Sequence, residues 1–427
     1  MQGLPLPNRR TFLRDISGAA VAPMIVAANV VGRGATPPSD RIVMGIIGAG
    51  PRGMYVLTHF LKEPDVRMVA VADCFANRRE EARQLIDKTY GTRECVSYQF
   101  HEELLGRSDI DAVLIATGDR WHSVLSVIAA RSGKDIYCEK PISLTIGEGR
   151  AMAETIKSLG TVWQNGTQRK SIPGYGFVRD VVNSGRIGKL HTITASMGAG
   201  WTVYGQATPA PPPDPSAFDY DRWLGQAPWA PYSPLRVQAW RNNWDTSGGP
   251  IVDMGPHYCE FAQWVHGERL PVPVEYEGTA AFLNRHEFQN TPYFVNVTAR
   301  YDDGVMLMID SKPKGVRFDG EKGWIQLFDE GLVEAEPESV LQGLQPPEAN
   351  WKVMHPHIRN FLECVRTRQT PVSSVETAQR AHTIVHCANL SLRLGRRLRF
   401  DPQTELFLAD DEANNMLVRG MRAPWSI

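Results

Sequence analysis

No C-x-x-C pair occurs among the six cysteines, Cys74, Cys95, Cys138, Cys259, Cys364 and Cys387. That absence excludes a zinc ribbon, and six scattered thiols in a chain of 427 residues do not make a disulfide framework. No H-E-x-x-H is present either. His355-Pro356-His357 and His382-x-x-x-His386 have ligand spacing without supporting cysteines, so no metal is expected. The charges nearly cancel, with 46 basic and 47 acidic residues, which argues against a nucleic-acid partner. No apolar run beyond the N-terminal segment reaches the length of a membrane span. What the chain does have is length, enough for two or three domains and a substantial core.

The most informative stretch is Arg41 to Gly53, RIVMGIIGAGPRG. Its apolar, β-branched run predicts a buried strand, and Met54 to Leu61 reads as a helix. Between them lies G-x-G-x-x-G: Gly48, Gly50 and Gly53, with Pro51 and Arg52 inside the turn. A dinucleotide pyrophosphate calls for this arrangement. The first glycine permits the tight turn, the second lets backbone approach the phosphates, and the third lets helix and strand pack closely. The helix N-terminus adds free N–H groups and positive dipole. Asp73 ends the next strand, Arg67 to Ala72, twenty residues past Gly53, where ribose hydroxyls would lie. Its carboxylate favours NAD over NADP, because it would repel a 2′-phosphate. Arg78 and Arg79 read as the solvated first turn of the following helix.

Strand and helix patterns then alternate as far as Gln164, predicting a doubly wound parallel sheet whose ligand lies at the strands' carboxyl ends. Gly48, Asp73, Thr117 and Glu139-Lys140-Pro141 all fall at such ends and are expected to line one crevice. From Ile172 the pattern changes. Strands are expected at Leu190 to Met197, Val274 to Phe282, Tyr293 to Arg300, Gly304 to Asp310 and Gly323 to Phe328, implying an α+β domain with a mainly antiparallel sheet. A long insertion including Ala207 to Pro215, with five prolines, is expected to be loop near a binding face. The resulting division is 1–35, 36–165, 166–400 and a polar extension, 401–427.

At the N-terminus, Asn8-Arg9-Arg10-Thr11-Phe12-Leu13-Arg14 is a twin-arginine pattern ahead of an Ala-rich apolar stretch, Ile16 to Val31. It reads as an export signal of the Tat type, which implies a periplasmic protein.

Two segments carry candidate chemistry. Lys140, at the mouth of a parallel strand, can hold a substrate hydroxyl. Asp253 and His257, four residues apart in GGPIVDMGPH, share a helix face if Ile251 to Val265 is helical. Pro256 is tolerated only near such a helix's start. A histidine beside a carboxylate makes a general base near working pH, which oxidation of an alcohol requires.

The glycine turn, Asp73, Thr117 to His122, Glu139-Lys140-Pro141 and the Gly248 to His257 stretch, in that order, resemble the Gfo/Idh/MocA family of glucose–fructose oxidoreductase and inositol dehydrogenase. The resemblance runs from about Arg41 to about Phe400. It implies a Rossmann domain plus an open-faced sheet domain, bound NAD or NADP, a sugar or polyol substrate and a homo-oligomer. It further implies that Lys140, Asp253 and His257 are catalytic, with His257 the base, Lys140 orienting the hydroxyl and Asp253 positioning substrate and histidine. Thr117, His122, Glu139 and Lys140 become cofactor contacts. Thr117-Gly118-Asp119 departs from the family's usual Thr-Pro. In the insertion, Trp201, Tyr204, Trp240 and Trp244 are candidates to stack on sugar faces, and Arg241 to bind a hydroxyl or carboxylate. Core or loop packing is the other reading of these aromatics. The leading function is an oxidoreductase with tightly held nicotinamide. A redox-neutral, NAD-dependent glycosidase and a non-catalytic sugar sensor are the alternatives.

Overall fold

A computed structural model of the chain describes residues 40–200, 203, 205–284 and 287–427. The twin-arginine segment, Trp201 and Tyr204 lie outside the described residues. Residues 42–427 form one compact unit built on two sheets.

The first half alternates as the sequence pattern requires. It runs β1 (Ile42–Ile47), α1 (Pro51–Phe60), β2 (Val66–Ala72), α2 (Ala76–Tyr90), β3 (Val96–Tyr98), α3 (His101–Leu105), β4 (Ala112–Ile115), α4 (His122–Arg131), β5 (Asp135–Cys138), α5 (Ile146–Leu159) and β6 (Trp163–Asn165). The six strands are parallel in the order β3-β2-β1-β4-β5-β6. Such strands are covered on both faces, which is why β4 and β5 are buried at every position. The order reverses between β1 and β4, and the carboxyl ends there open a crevice.

After α6 (Pro173–Asn183) and β7 (Leu190–Ser196) come two short helices inside the insertion, α7 (Tyr220–Leu224) and α8 (Pro234–Gln238), and then α9 (Pro250–Gly267). A strand meander follows: β8 (Glu275–Phe282), β9 (Pro292–Arg300), β10 (Met306–Asp310), β11 (Gly315–Gly320), β12 (Gly323–Phe328) and β13 (Val333–Glu336). The chain closes with α10 (His355–Thr367), α11 (Val375–Leu394), β14 (Leu398–Asp401), β15 (Leu406–Phe407) and α12 (Asp411–Asn414). The nine-stranded sheet has the order β13-β12-β11-β7-β10-β9-β8-β14-β15, antiparallel except where β7 meets β10. One face packs on α9 and α11, so β9 buries Val295, Val297 and Ala299 and exposes Phe294, Asn296 and Arg300.

Three differences from the sequence reading have local causes. β11 and β13 were not anticipated, because glycine and charged residues interrupt their apolar alternation. The insertion contains two helices, each only five residues long and stabilised by neighbours rather than by propensity. Helix α10 returns to the first sheet, where Phe361 meets the rings of Phe60 and Tyr137 at 6.2 and 5.8 Å.

The paired histidines are structural. His382 accepts the Ile142 N–H at Nε2 (3.0 Å) and donates from Nδ1 to the Ala378 carbonyl (2.7 Å). Among the described residues no three His, Cys, Asp or Glu side chains group as metal ligands. No described helix is long and apolar enough to cross a membrane. Burial pushes His382 down to about 3, whereas an unfolded histidine titrates near 6.5. Acidification below about 6.5 therefore charges the unfolded chain and not the native one, and stability falls by about 1.4 kcal/mol per pH unit through this residue. H382Q removes that linkage. Its stability deficit against the parent, measured by urea unfolding, is expected to shrink by about 2 kcal/mol between pH 7 and pH 5. A deficit independent of pH would show that His382 titrates in the native state as it does in the unfolded chain.

Candidate active site

The glycine turn is built as a phosphate cradle. Gly48 has φ +93°, and a side chain there would come within 2.7 Å of the Ala116 backbone. At Gly53 a Cβ would stand 2.1 Å from the Gly48 carbonyl oxygen, so helix and strand close up only without one. Gly50 faces open space, with only Arg78 near a hypothetical Cβ at 3.6 Å. No side chain caps α1, and its first-turn N–H groups have no partner within the helix. Asp73 holds this turn in shape: its carboxylate accepts the N–H of Ala49 (2.7 Å) and of Phe75 (2.8 Å). Burial raises its pKa, and the two N–H donors and Arg78 counter part of that rise. These features fit a dinucleotide.

Arg78 and Arg79 do not stand solvated, as the sequence suggested. The Arg78 guanidinium lies over the Phe75 ring at 4.0 Å, and Arg79 donates to the carbonyls of Asp73 (3.0 Å) and Ser216 (3.3 Å). The insertion supplies that second carbonyl. Phe218 stacks flat on Phe75 at 3.9 Å, the Ala76 N–H reaches Ala217 O, and the Asp219 N–H reaches Cys74 O. Arg120, fully buried, donates from Nε to the Trp223 and Leu224 carbonyls. A cavity of about 90 Å³ results, lined by Gly48, Gly50, Asp73 and Thr117 on one side and by Arg222 and Trp223 on the other. The C-terminal segment pins this strap. Arg422 donates to Gly225 O (3.0 Å) and Asp221 O (2.9 Å) and pairs with the Asp221 carboxylate. Trp425 sets its ring edge-on to Trp121 at 4.7 Å.

A second, larger cleft of about 610 Å³ continues past the ends of β4 and β5 to α9. Lys140, Asp253 and His257 all line it. Lys140 Nζ donates to Asp253 Oδ1 (2.8 Å) and to the Asp253 carbonyl (2.6 Å). Arg241 Nε stands 3.6 Å from the same Oδ1. Burial alone would raise the Asp253 pKa, but Lys140 and then Arg241 bring it below the ordinary value. Pro256 sits inside α9 without ending it, so Asp253 and His257 keep the one-turn spacing.

The electrostatics of His257 differ from expectation. The Asp253 carboxylate is engaged by Lys140 and Arg241, while His257 Nδ1 is buried with no partner. Burial first, then the cations Arg169, Lys140 and Arg52, push its pKa well below 6.5. His257 is held neutral by desolvation and positive neighbours, and no carboxylate stands at its back.

The remaining anticipated residues fall as follows. Glu139 accepts from Arg52 Nε at 2.9 Å, tying the glycine turn to the end of β5. Thr117 and His122 line the cleft, and the His122 Nδ1 donates to the Pro141 carbonyl at 2.6 Å. Trp240 does not line it; its ring supports the Arg241 guanidinium at 4.2 Å and packs on the Phe218 and Trp223 cluster. Trp244 is held between the guanidinium groups of Arg393 (4.2 Å) and Arg419 (3.9 Å), so its faces are taken. Sequence spacing did not reveal Asp119, Arg169, Asp329 or Trp351, which also line the cleft. Asp119 bonds Ser247 Oγ (2.5 Å), and burial followed by the Asp253 charge raises it to about 7. Arg169 donates to Asp329 (2.6 Å), whose other oxygen accepts from Tyr258 (2.7 Å). The one legible hint was Asp119, in the stretch that departs from the Thr-Pro pattern.

Residues 42–167 match the family description "Oxidoreductase family, NAD-binding Rossmann fold", and residues 176–427 match its C-terminal alpha/beta domain. The rhizopine catabolism protein MocA of Rhizobium meliloti is 25% identical over 355 residues, 82% of this chain and 94% of its own. The inositol 2-dehydrogenase of Rhizobium meliloti strain 1021 is 29% identical, over 56% of this chain and 58% of its own length. A glycosyl hydrolase family 109 protein from Shewanella pealeana is 30% identical over only 35% of this chain and 36% of its own. The crystal structure of myo-inositol 2-dehydrogenase from Lactobacillus plantarum shares the fold, with TM-score 0.63 and 19% identity, covering 84% of this chain and all of that one. With both family domains matched in order around one crevice, this chain belongs to the Gfo/Idh/MocA family of NAD-binding oxidoreductases.

Proposed function

We propose that this protein is an exported oxidoreductase that oxidises a secondary hydroxyl of a sugar or polyol with NAD, and that it keeps its nucleotide between turnovers. The observation that carries the reading is the meeting of Lys140, Asp253 and His257 in the cleft that continues the glycine-turn crevice. Relatives named inositol 2-dehydrogenase support a CH–OH donor. Bound NAD supplies the hydride acceptor. The chain does the rest. Lys140, fixed by two bonds to Asp253, directs its remaining N–H to the substrate oxygen and steadies negative charge there as the proton leaves. His257, uncharged, accepts that proton on its ring. Arg52 and Glu139 hold the glycine turn and the β5 end in one geometry.

Export through a twin-arginine signal would take the enzyme away from a free NAD pool. The strap from the insertion, pinned by Arg422, supports a nucleotide that stays in place. Recycling would then come from a second substrate, and homo-oligomerisation is compatible with the uncovered sheet face. Asp73 favours NAD over NADP. Lysine at 140 favours a net oxidoreductase over the redox-neutral glycosidase.

The test is to purify the protein from the compartment where it resides, dialyse extensively, denature it and count released nucleotide by mass spectrometry. About one NAD(H) per chain is expected. Protein that emerges empty and binds NAD weakly would overturn the retained-cofactor reading, and NADP in its place would overturn the role given to Asp73.

A further inference from the structure

The larger cleft holds more cations than its own carboxylates can neutralise. Three pairs are closed: Arg52 with Glu139, Arg169 with Asp329, and Lys140 with Asp253. Arg241, Lys314 and Lys352 remain. Arg241 reaches only the carboxylate that Lys140 already holds, at 3.6 Å through Nε. Lys314 and Lys352 form no ion pair with any described acid. Against these three stand the exposed Glu330 and Asp119, which burial and the Asp253 charge bring to about 7, so that it is only part-ionised at neutral pH. Arg169, 3% exposed, also keeps its Nε without an acceptor in this wall.

The unmatched donors sit on separate elements. Arg241 comes from the turn before α9, with its guanidinium over the Trp240 ring at 4.2 Å; Lys314 comes from the β10–β11 connection, and Lys352 from the segment before α10. Lys314 and Lys352 are exposed and act from the rim, whereas closing substrate over Arg241 would strip water from a guanidinium that shares its one carboxylate with Lys140, which is costly unless the substrate brings another. A neutral polyol brings only hydroxyls. A guanidinium presents a planar fork that suits a carboxylate or a phosphate.

We propose that the substrate is an anionic sugar, one carrying a carboxylate or a phosphate ester that Arg241 grips and that Lys314 and Lys352 attract, while a ring hydroxyl lies at Lys140 and His257. The inference rests on the sugar-oxidising reading above and narrows it to a charge class.

The experiment uses the purified holoprotein at low salt. Binding is followed by tryptophan fluorescence, and reduction of the resident nucleotide by its absorbance, with matched pairs: glucuronate and glucose, galacturonate and galactose, gluconate and glucitol. Glucose 6-phosphate and galactose 6-phosphate form a second arm that separates phosphate from carboxylate. The acidic member of at least one pair is expected to bind about ten- to a hundred-fold tighter than the neutral one, the range of a charge-assisted hydrogen bond. That advantage should fall with added salt. R241M should bring the acid's affinity to within about threefold of its neutral partner's in the same variant, and K314M should reduce the advantage mainly through slower association. Equal or tighter binding of the neutral members overturns the anion assignment and leaves the sugar oxidoreductase standing. Failure of every sugar, charged or neutral, to bind or to reduce the nucleotide overturns both. An acid preference that survives R241M overturns the role given to Arg241.

Discussion

K140M is expected to lower the rate of nucleotide reduction by about a thousandfold while leaving the bound nucleotide in place. The size follows from the role proposed for the residue: in that reading it donates to the reacting oxygen in a desolvated cleft, and such groups contribute about 10²- to 10⁴-fold. Lys140 Nζ is fixed by two bonds to Asp253, so its remaining N–H is directed without further ordering. Methionine keeps the length and loses the donor. The loss should appear in single-turnover absorbance of the nicotinamide and not in nucleotide content. The substitution also leaves the buried Asp253 carboxylate facing Arg241 alone, so stability should fall by up to about 3 kcal/mol, readable as a lower melting temperature. K140R separates the two effects. It restores the charge, and therefore the melting temperature, without restoring the geometry of a single ammonium. Unchanged turnover in K140M would remove the catalytic assignment. A parent protein that binds sugar and never reduces its nucleotide would favour a sensor.

The second large effect is expected at the far end of the crevice. R422A, or a chain ended after Gly420, should release nucleotide about a hundredfold faster than the parent. Arg422 donates to two strap carbonyls and pairs with Asp221, and Trp425 braces Trp121 beneath the same segment. Losing hydrogen bonds to a charged group costs about 1.5–3 kcal/mol each, and a strap freed of two of them opens far more often. Stopped-flow displacement of the resident nucleotide by a fluorescent analogue would measure it. If the exchange rate is unchanged while the melting temperature drops, the C-terminal segment only stabilises the fold. If exchange accelerates and kcat at saturating added NAD is retained, the strap is a retention device separate from the chemistry.

Much of the architecture was readable because it rests on local rules. The run IVMGII suits a strand covered on both faces, as in a parallel sheet, and the glycines after it suit a tight turn into a helix. Asp73 and Lys140 were placed by the same logic, since a strand's carboxyl end is defined by chain direction. Asp253 and His257 were placed by helical spacing. What escaped was whatever depended on distant segments. The insertion, rich in Pro, Trp and Tyr, read only as loop near a binding face, with its aromatics either stacking on sugar or packing. In fact Phe218 covers Phe75 and Trp223 covers Arg120 at the nucleotide end. The polar tail carried no signal of where it packs, and Arg419, Arg422 and Trp425 fasten it to the insertion and to Trp121.

Sequence alone therefore carried the family resemblance and the order of strands and helices in the first domain, and it singled out Lys140, Asp253 and His257 as candidates, because motif order, periodicity and strand-end position are properties of neighbours along the chain. The tertiary structure decided their electrical states. Whether His257 is charged depends first on its burial and then on Arg169, Lys140 and Arg52, which approach it from three other elements. Whether Asp253 serves histidine or lysine depends on where the end of β5 points. Charge state and partner choice are set by distances across space and by the water that burial removes, and neither quantity is written in the spacing of residues along a chain.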